Sequence, residues 1–301
     1  MIRAFIAGLL WPVFYFELPG WGRVYHTVVG GGDKDSLWVN ASPRLIRDKR
    51  YGMWRIVVIS EWADRHLYYL KRWYNLSSQL IVDSLIQKGD VVLDAGANYG
   101  HFSLAAICAC GPDGSVHAYE PNPSAFARLS MHRQLNKADN LIIHQAGVSD
   151  ASDELVLKVP RATSGEATFG NSNYTDVTTH RCPVKTIDNE APNNVDFIKI
   201  DVEGFETRTI RGAETTIRRD RPVLLVETMR ECLAQADSNP EELFETIQLL
   251  GYSAYVINLR GLGLKKHLHL EPTNTPPSDG DLLWFPSESK DELLRRATGS
   301  I

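Results

Sequence analysis

Two carboxylates stand where apolar runs end. Asp94 lies near the end of "VVLDA" and is followed by "GANYGHFSLAA"; Glu120 closes "VHAYE" and is followed by "PNP". An apolar run, a glycine turn and a second apolar run read as strand, turn and helix. Glycines in such a turn let the backbone approach a ligand, and the helix N-terminus beyond it favours negative charge. The spacing Gly96-Ala97-Asn98-Tyr99-Gly100 is GxxxG. It is neither the GxGxxG of a dinucleotide site nor the GxxxxGK[ST] of a phosphate loop. Asp94 would repel a pyrophosphate and suits a ligand carrying positive charge. S-adenosylmethionine (SAM), with a sulfonium, an ammonium and one carboxylate, fits. Glu120 can accept hydrogen bonds from both hydroxyls of a ribose, which serves SAM and NAD alike. The competing reading is a pair of solvated strand-end acids. Two acids at successive strand ends, each before a turn signal, argue against it.

The elements that must position these acids are regular from residue 90 onward. Strand-like runs are "VVLDA", "VHAYE", "LIIHQAGV", "FIKID" and "VLLVET". Helical patterns lie between most of them, over 100–110, 124–136, 205–219 and 240–250. Strands alternating with helices predict an α/β doubly wound sheet, in which ligands sit at the carboxyl ends of the strands. "ELVLKVP" and "THRCPVKTID" are extra strand-like segments flanking the polar loop "RATSGEATFGNSNYTD". "GYSAYVIN" and "DLLWFP" predict a final antiparallel pair at a sheet edge, with "KKHLHLEPTNTPPSDG" as the loop between them. Residues 1–75 have mixed periodicity and are read as an N-terminal extension, with "YGMWRIVVIS" as a strand; "SQLIVDSLIQKG" is a helix ending at a glycine. Residues 76–301 form the main domain.

In order, "VVLDAGANYGHFSL", "VHAYEPNPSAFARL", "VDFIKIDVEGFE" and "RPVLLVE" resemble the FkbM-type family of SAM-dependent methyltransferases, over roughly residues 75–290. The resemblance implies a Rossmann-like class I fold: a seven-stranded, mostly parallel sheet of order 3-2-1-4-5-7-6 with strand 7 antiparallel. It implies that Asp94, Gly96, Ala97, Asn98 and Gly100 form the first SAM motif. Glu120, Pro121 and Asn122 match the ribose motif, and Gln145 and Ala146 match the region that borders the adenine. Asp201, Glu203, Gly204 and Glu206 match the motif that marks the family. The acceptors implied are hydroxyls of sugars, glycolipids or polyketide-like small molecules.

Methyl transfer to oxygen is an in-line displacement at the sulfonium carbon, so the enzyme's main task is positioning. An aliphatic hydroxyl also needs a base or a metal ion to take its proton. Asp201, at the end of the fourth strand, is the first choice for the catalytic position, as base, metal ligand or partner of the SAM amino group. Glu203 follows two residues later, and Glu227 ends the fifth strand. Together the three could hold a hard cation such as Mg²⁺ through oxygen ligands. Glu203 and Glu206 equally suit the first turn of the following helix as capping acids. His101 and His144 are conceivable bases. Phe169 and Tyr174, in the polar loop, suit stacking on a sugar acceptor or an ordinary surface loop.

The net charge of −5 excludes a chain-wide footprint for nucleic acid. Cys108, Cys110, Cys182 and Cys232 show neither paired zinc spacing nor a disulfide framework, which predicts thiols in a reducing, cytoplasmic setting. The apolar run 4–16 is too short for a membrane span and is interrupted by Pro12. Residues 1–25 read either as elements packed on the domain or as a membrane-peripheral segment with Trp11, Phe14, Tyr15, Phe16 and Trp21 at the headgroups. Two other functions compete with methyl transfer. An NAD-dependent Rossmann oxidoreductase would have the ribose acid without GxGxxG. A non-catalytic, membrane-associated SAM-binding module would bind cofactor without turnover.

Overall fold

Five parallel strands form the body of the main sheet: β3 (Val91–Ala95), β4 (Ser115–Tyr119), β5 (Leu141–His144), β9 (Val195–Ile200) and β10 (Val223–Met229), with runs of buried aliphatic residues in β3, β9 and β10. Such strands are covered on both faces and so lose the alternation of a half-exposed sheet. The computed structural model describes residues 2–161, 164–261, 265–277 and 279–299. It divides into two compact units: Met1–Gln79 with Leu259–His267, and Leu80–Asn258 with Leu268–Ile301.

In the second unit, β11 (Tyr252–Arg260), β12 (His267–Thr273) and β13 (Asp279–Pro286) complete an eight-stranded sheet of order β12-β11-β13-β10-β9-β3-β4-β5. The seven strands β5-β4-β3-β9-β10-β13-β11 reproduce the expected 3-2-1-4-5-7-6 order. Strand β13 runs antiparallel to both β10 and β11. The eighth strand corrects the sequence reading, which took its residues for a loop. Leu268 and Leu270 are buried and alternate with histidines, a period of two that the flanking Lys, Pro and Asn residues hide.

The run "LIIHQAGV" is also divided. It supplies β5 and then β6 (Gly147–Val148), which joins β7 (Asp153–Pro160) and β8 (Val177–Lys185) in a separate three-stranded sheet of order β6-β8-β7. The helices of this unit are α6 (His101–Cys110), α7 (Pro123–Asn136), α8 (Ile187–Glu190), α9 (Glu206–Arg211), α10 (Glu214–Asp220), α11 (Arg230–Gln235), α12 (Pro240–Leu249) and α13 (Lys290–Thr298). One helix expected over 205–219 is thus two, α9 and α10. Asn122 and Asn239 cap α7 and α12 by accepting from the backbone N–H of Ser124 and Glu242. The main core joins Ile198, Ile200, Leu224 and Val226 of the sheet to Ile210, Ile217 and Ile247 of the helices. Each such aliphatic side chain contributes about 1.5–3 kcal/mol by leaving water.

The first unit contains α1 (Ile2–Leu9), α2 (Trp11–Tyr15), α3 (Trp21–Val28), a 3-10 segment (Gly32–Trp38), the hairpin β1 (Arg44–Arg47) and β2 (Trp54–Val57), and α4 (Trp62–Leu70). The two units divide within α5 (Leu76–Leu85). Phe14 meets Tyr25 and Tyr69 edge-on in an aromatic core. Of the five aromatics expected at a membrane surface, Phe14 is therefore inside, Trp11, Tyr15 and Trp21 are half-buried, and Phe16 is exposed. Two buried ion pairs lie in this unit. Arg72 donates to both carboxylate oxygens of Glu17 at 2.8 Å, and Arg55 donates to Asp48 at 2.9 Å. Burial alone would raise the Glu17 carboxyl, but Arg72 and Lys49 pull it down to about 2. Among the described residues no helix is long and apolar enough to cross a membrane.

Candidate active site

The turn after β3 is tied to the neighbouring strand ends. Gly96 and Ala97 both donate to the Tyr119 carbonyl at 3.0 Å. Gly96 has φ +79°, and a Cβ there would fall 1.7 Å from the Asp201 carbonyl oxygen. Only glycine lets this turn press against the end of β9. Glu120 ties the turn to the next strand end. Its Oε2 accepts from the Asn98 N–H at 2.7 Å and its Oε1 from the Asn122 N–H at 2.8 Å. Burial pushes its carboxyl up to about 7, against the lowering effect of those two bonds. Each oxygen keeps a lone pair for a further donor. Along the same edge Pro121 is half-buried, Ala146 is buried and Gln145 is exposed.

Asp94 is fully enclosed. Its Oδ2 accepts from Ser103 Oγ at 2.5 Å, and its Oδ1 lies 3.3 Å from Lys199 Nζ. The same Nζ donates to the Gly96 carbonyl at 2.9 Å and lies 3.1 Å from Asp201 Oδ2. Burial alone would lower the Lys199 pKa, but the charges of Asp201 and Asp94 outweigh it and raise the pKa, so the ammonium is kept. The cation beside Asp94 is therefore one of the protein's own. Sequence reasoning passed over Lys199. The available signal was a lysine inside the apolar strand "FIKID", where a charge needs partners.

At the ends of β9 and β10, Asp201, Glu203 and Glu227 each present an oxygen within 4.8 Å of the others. The turn after β9 is tight. Glu203 has φ +52°, and a Cβ on Gly204 would fall 2.2 Å from the Cys232 carbonyl. Cys232 Sγ donates to Glu203 Oε2 at 3.4 Å. Glu206, buried at the start of α9, accepts from the N–H groups of Val202 and Gly204 at 3.1 and 3.2 Å and so closes this turn. Burial, then the Asp201 charge, push the Glu203 carboxyl up to about 8. Asp201 first, then burial, raise Glu227 well above the usual carboxylate range. Glu227 Oε2 is buried and accepts no hydrogen bond among the described residues. At neutral pH this cluster is therefore short of positive charge, and it can take up a proton or a hard cation.

The two candidate histidines make ring contacts of their own. His144 stacks on Tyr119 with ring centroids 4.5 Å apart, and its charged neighbours are Lys185 and Glu190. His101 is buried and lies edge-on to Tyr99. The polar loop does reach the acidic turn: Thr168 Oγ1 donates to the Glu203 carbonyl at 2.7 Å, and the Phe169 ring packs 5.5 Å from that of Phe205. Tyr174 donates to Glu166 at 2.5 Å. Ala162 and Thr163 lie outside the described residues.

The strand order, the reversed β13 and the glycine turn with acids at successive strand ends define a class I, SAM-type methyltransferase fold. The chain belongs to the FkbM family of SAM-dependent methyltransferases: the family's domain profile, the methyltransferase FkbM domain, matches residues 94–254, more than half of the chain. The oxidoreductase alternative falls with that assignment. The chain is similar to the hexuronic acid methyltransferase AglP of Haloferax volcanii, with 26% identity over 134 residues, 44% of this chain and 53% of that protein. It is similar to Methyltransferase 1 of Beauveria bassiana, with 26% identity over 145 residues, 41% of this chain and 58% of that protein. The match thus spans about half the length of these curated relatives. Among solved structures, a methyltransferase FkbM from Methylobacillus flagellatus KT aligns at 17% identity over 90% of this chain and 62% of that chain, with a TM-score of 0.42.

Proposed function

We propose that this protein transfers a methyl group from SAM to a hydroxyl of a sugar, glycolipid or polyketide-like acceptor. The observation that carries the reading is the cluster of Asp201, Glu203 and Glu227 beside the Gly96 turn. In this reading Asp94, Gly96, Ala97, Asn98 and Gly100 form the SAM loop, and Glu120, with Pro121 and Asn122, receives the ribose. Gln145 and Ala146 border the adenine. A carboxylate of the cluster accepts the hydroxyl proton while the oxygen attacks the methyl carbon. The C–S bond breaks, and S-adenosylhomocysteine leaves with the electron pair. A base with its pKa raised towards neutrality suits this task better than an ordinary carboxylate, and Glu203 at about 8 has that property.

The oxygen-only donor set and the unpartnered Glu227 Oε2 also fit Mg²⁺. Asp201, Glu203 and Glu227 would hold it, and when bound it would acidify the acceptor hydroxyl. A sugar acceptor draws support from the hexuronic acid methyltransferase among the relatives and from the hydroxyl-rich loop around Phe169 and Tyr174. Four free thiols suit a reducing, cytoplasmic setting.

Calorimetric titration with SAM, S-adenosylhomocysteine and NAD, with and without Mg²⁺, followed by methyl-transfer assays on uronic acids and neutral glycosides, tests the reading. SAM binding with O-methylated product supports it. SAM binding without turnover on any acceptor favours the non-catalytic module, and NAD binding alone overturns both.

A further inference from the structure

The chain's charge is divided sharply between its two units. Met1–Gln79 with Leu259–His267 carries 14 Lys and Arg against 6 Asp and Glu, a net +8; the remainder carries 18 against 31, a net −13. Within the first unit the acids are mostly used internally. Glu17 pairs with Arg72, Asp48 with Arg55 and Asp35 with Arg65. Exposed cations of this unit include Arg23, Arg44, Arg47 and Lys265.

The same unit exposes large apolar side chains. On α1, Phe5, Ile6 and Leu9 fall on one helical face, with Phe5 69% and Leu9 66% exposed, while Ala7 on the opposite side is buried in the aromatic core. Phe16 and Leu18 are exposed just after α2. On the hairpin, Leu45 and Arg47 point away from buried Ile46, and Arg47 stands opposite exposed Trp54 in the strand register. Apolar, tryptophan and arginine side chains are thus interleaved on one surface of the hairpin.

We propose that this unit docks on an anionic lipid bilayer. Exposed Phe and Leu enter the boundary of the acyl chains, Trp54 sits at headgroup level, and the arginines meet the lipid phosphates. Two other occupants fit less well. A two-fold dimer through this unit would bring +8 against +8. A nucleic acid would meet the cations but leave Phe5, Leu9 and Leu18 in water. The docking is independent of the reading of the active site.

Vesicle flotation of the whole chain tests it, using phosphatidylcholine vesicles with and without phosphatidylglycerol. The expected result is flotation with the phosphatidylglycerol vesicles only. Binding should fall by roughly tenfold or more on raising the salt, in the double variant Phe5→Ser with Leu9→Ser, and in Arg44→Glu with Arg47→Glu. Thermal melting and SAM titration of the variants show that the fold survives. Absence of flotation with anionic vesicles at low salt overturns the proposal. So do equal binding by the wild type and both variants, a concentration-dependent dimer that the apolar variant abolishes, and RNA binding without lipid binding.

Discussion

Lys199 on β9 stands directly across the strand register from Asp94 on β3, and its Nζ lies 3.3 Å from Asp94 Oδ1. Through this pair the strand that leads into the glycine turn and the strand that ends in the acidic cluster share one buried ammonium, which also holds the Gly96 carbonyl and Asp201. Lys199→Met leaves Asp94 enclosed with its charge uncompensated. Loss of one partner of a buried pair costs about 3–5 kcal/mol, so we expect a clear fall in the melting temperature and weaker SAM binding. Adding Asp94→Asn should return part of the stability without restoring SAM affinity. A Lys199→Met protein as stable as the wild type would show that the clamp contributes nothing.

Glu120 is expected to hold the cofactor through its two remaining acceptor positions. Removing a hydrogen-bonding charged group costs about 1–3 kcal/mol, so Glu120→Ala should raise the dissociation constant for SAM by roughly 5- to 150-fold. The same change releases the Asn98 and Asn122 N–H groups, and the melting temperature should drop as well. Unchanged SAM affinity, measured by calorimetry, would remove Glu120 from the site.

Gly96→Ala tests the contact between the glycine turn and the end of β9. The new methyl would fall 1.7 Å from a carbonyl oxygen, at a φ that L-residues adopt poorly. We expect a large loss of stability and of SAM binding. Gly8→Ala, in α1 with nothing within 4 Å of the added methyl, is the control and should be neutral or slightly stabilising. Equal melting temperatures for the two variants would contradict the packing described here.

The acidic cluster makes stability and turnover respond to pH in opposite directions. Glu203 has an ordinary carboxyl pKa of 4.5 when unfolded and about 8 when folded; Glu206 shifts from 4.5 to about 7. Between those values the folded state holds more protons at these two groups than the unfolded chain, so their contribution to stability is fully present below about pH 4.5 and declines until about pH 8. A carboxylate base must instead be ionised, so turnover should rise across the same interval. Melting curves and initial rates from pH 5 to 8 check both slopes. Glu203→Gln should flatten the stability profile, and an unaltered profile would assign the slope to other groups.

Strand ends were readable because the chain writes them plainly: a run of aliphatics, then an acid at or just before the turn, as at Asp94, Glu120 and Asp201. What stayed hidden depends on contacts made across the sheet. Lys199 is one letter in an apolar strand, and its three partners come together only when β3 and β9 pair. Strand β12 was masked by its polar neighbours, since its two buried leucines alone make a weak signal. In the short N-terminal helices, Phe14 and Phe16 look alike in sequence, yet one is in the aromatic core and the other faces water. Helices of one or two turns carry too few residues for periodicity to separate such faces.

Asp201 is the point at which positioning and chemistry can be separated. Its carboxylate is partly exposed, pairs with Lys199 and lies within reach of Glu203 and Glu227. Asp201→Asn keeps the shape and removes the charge. If Asp201 takes the proton or supports the group that does, turnover should fall by about 10²- to 10⁴-fold while SAM affinity changes little. The Asp201 charge also raises Glu203 and Glu227, so its removal should lower both carboxyls and shift the rise of any residual rate with pH towards acid. A Mg²⁺ titration separates the two roles. If the cluster holds the ion, both Asp201→Asn and Glu227→Gln should weaken Mg²⁺ binding by calorimetry. If Asp201 acts as base alone, neither wild type nor variant should bind the ion. Loss of SAM binding in Asp201→Asn would make this residue a cofactor ligand and move the search for the base to Glu203 and Glu227.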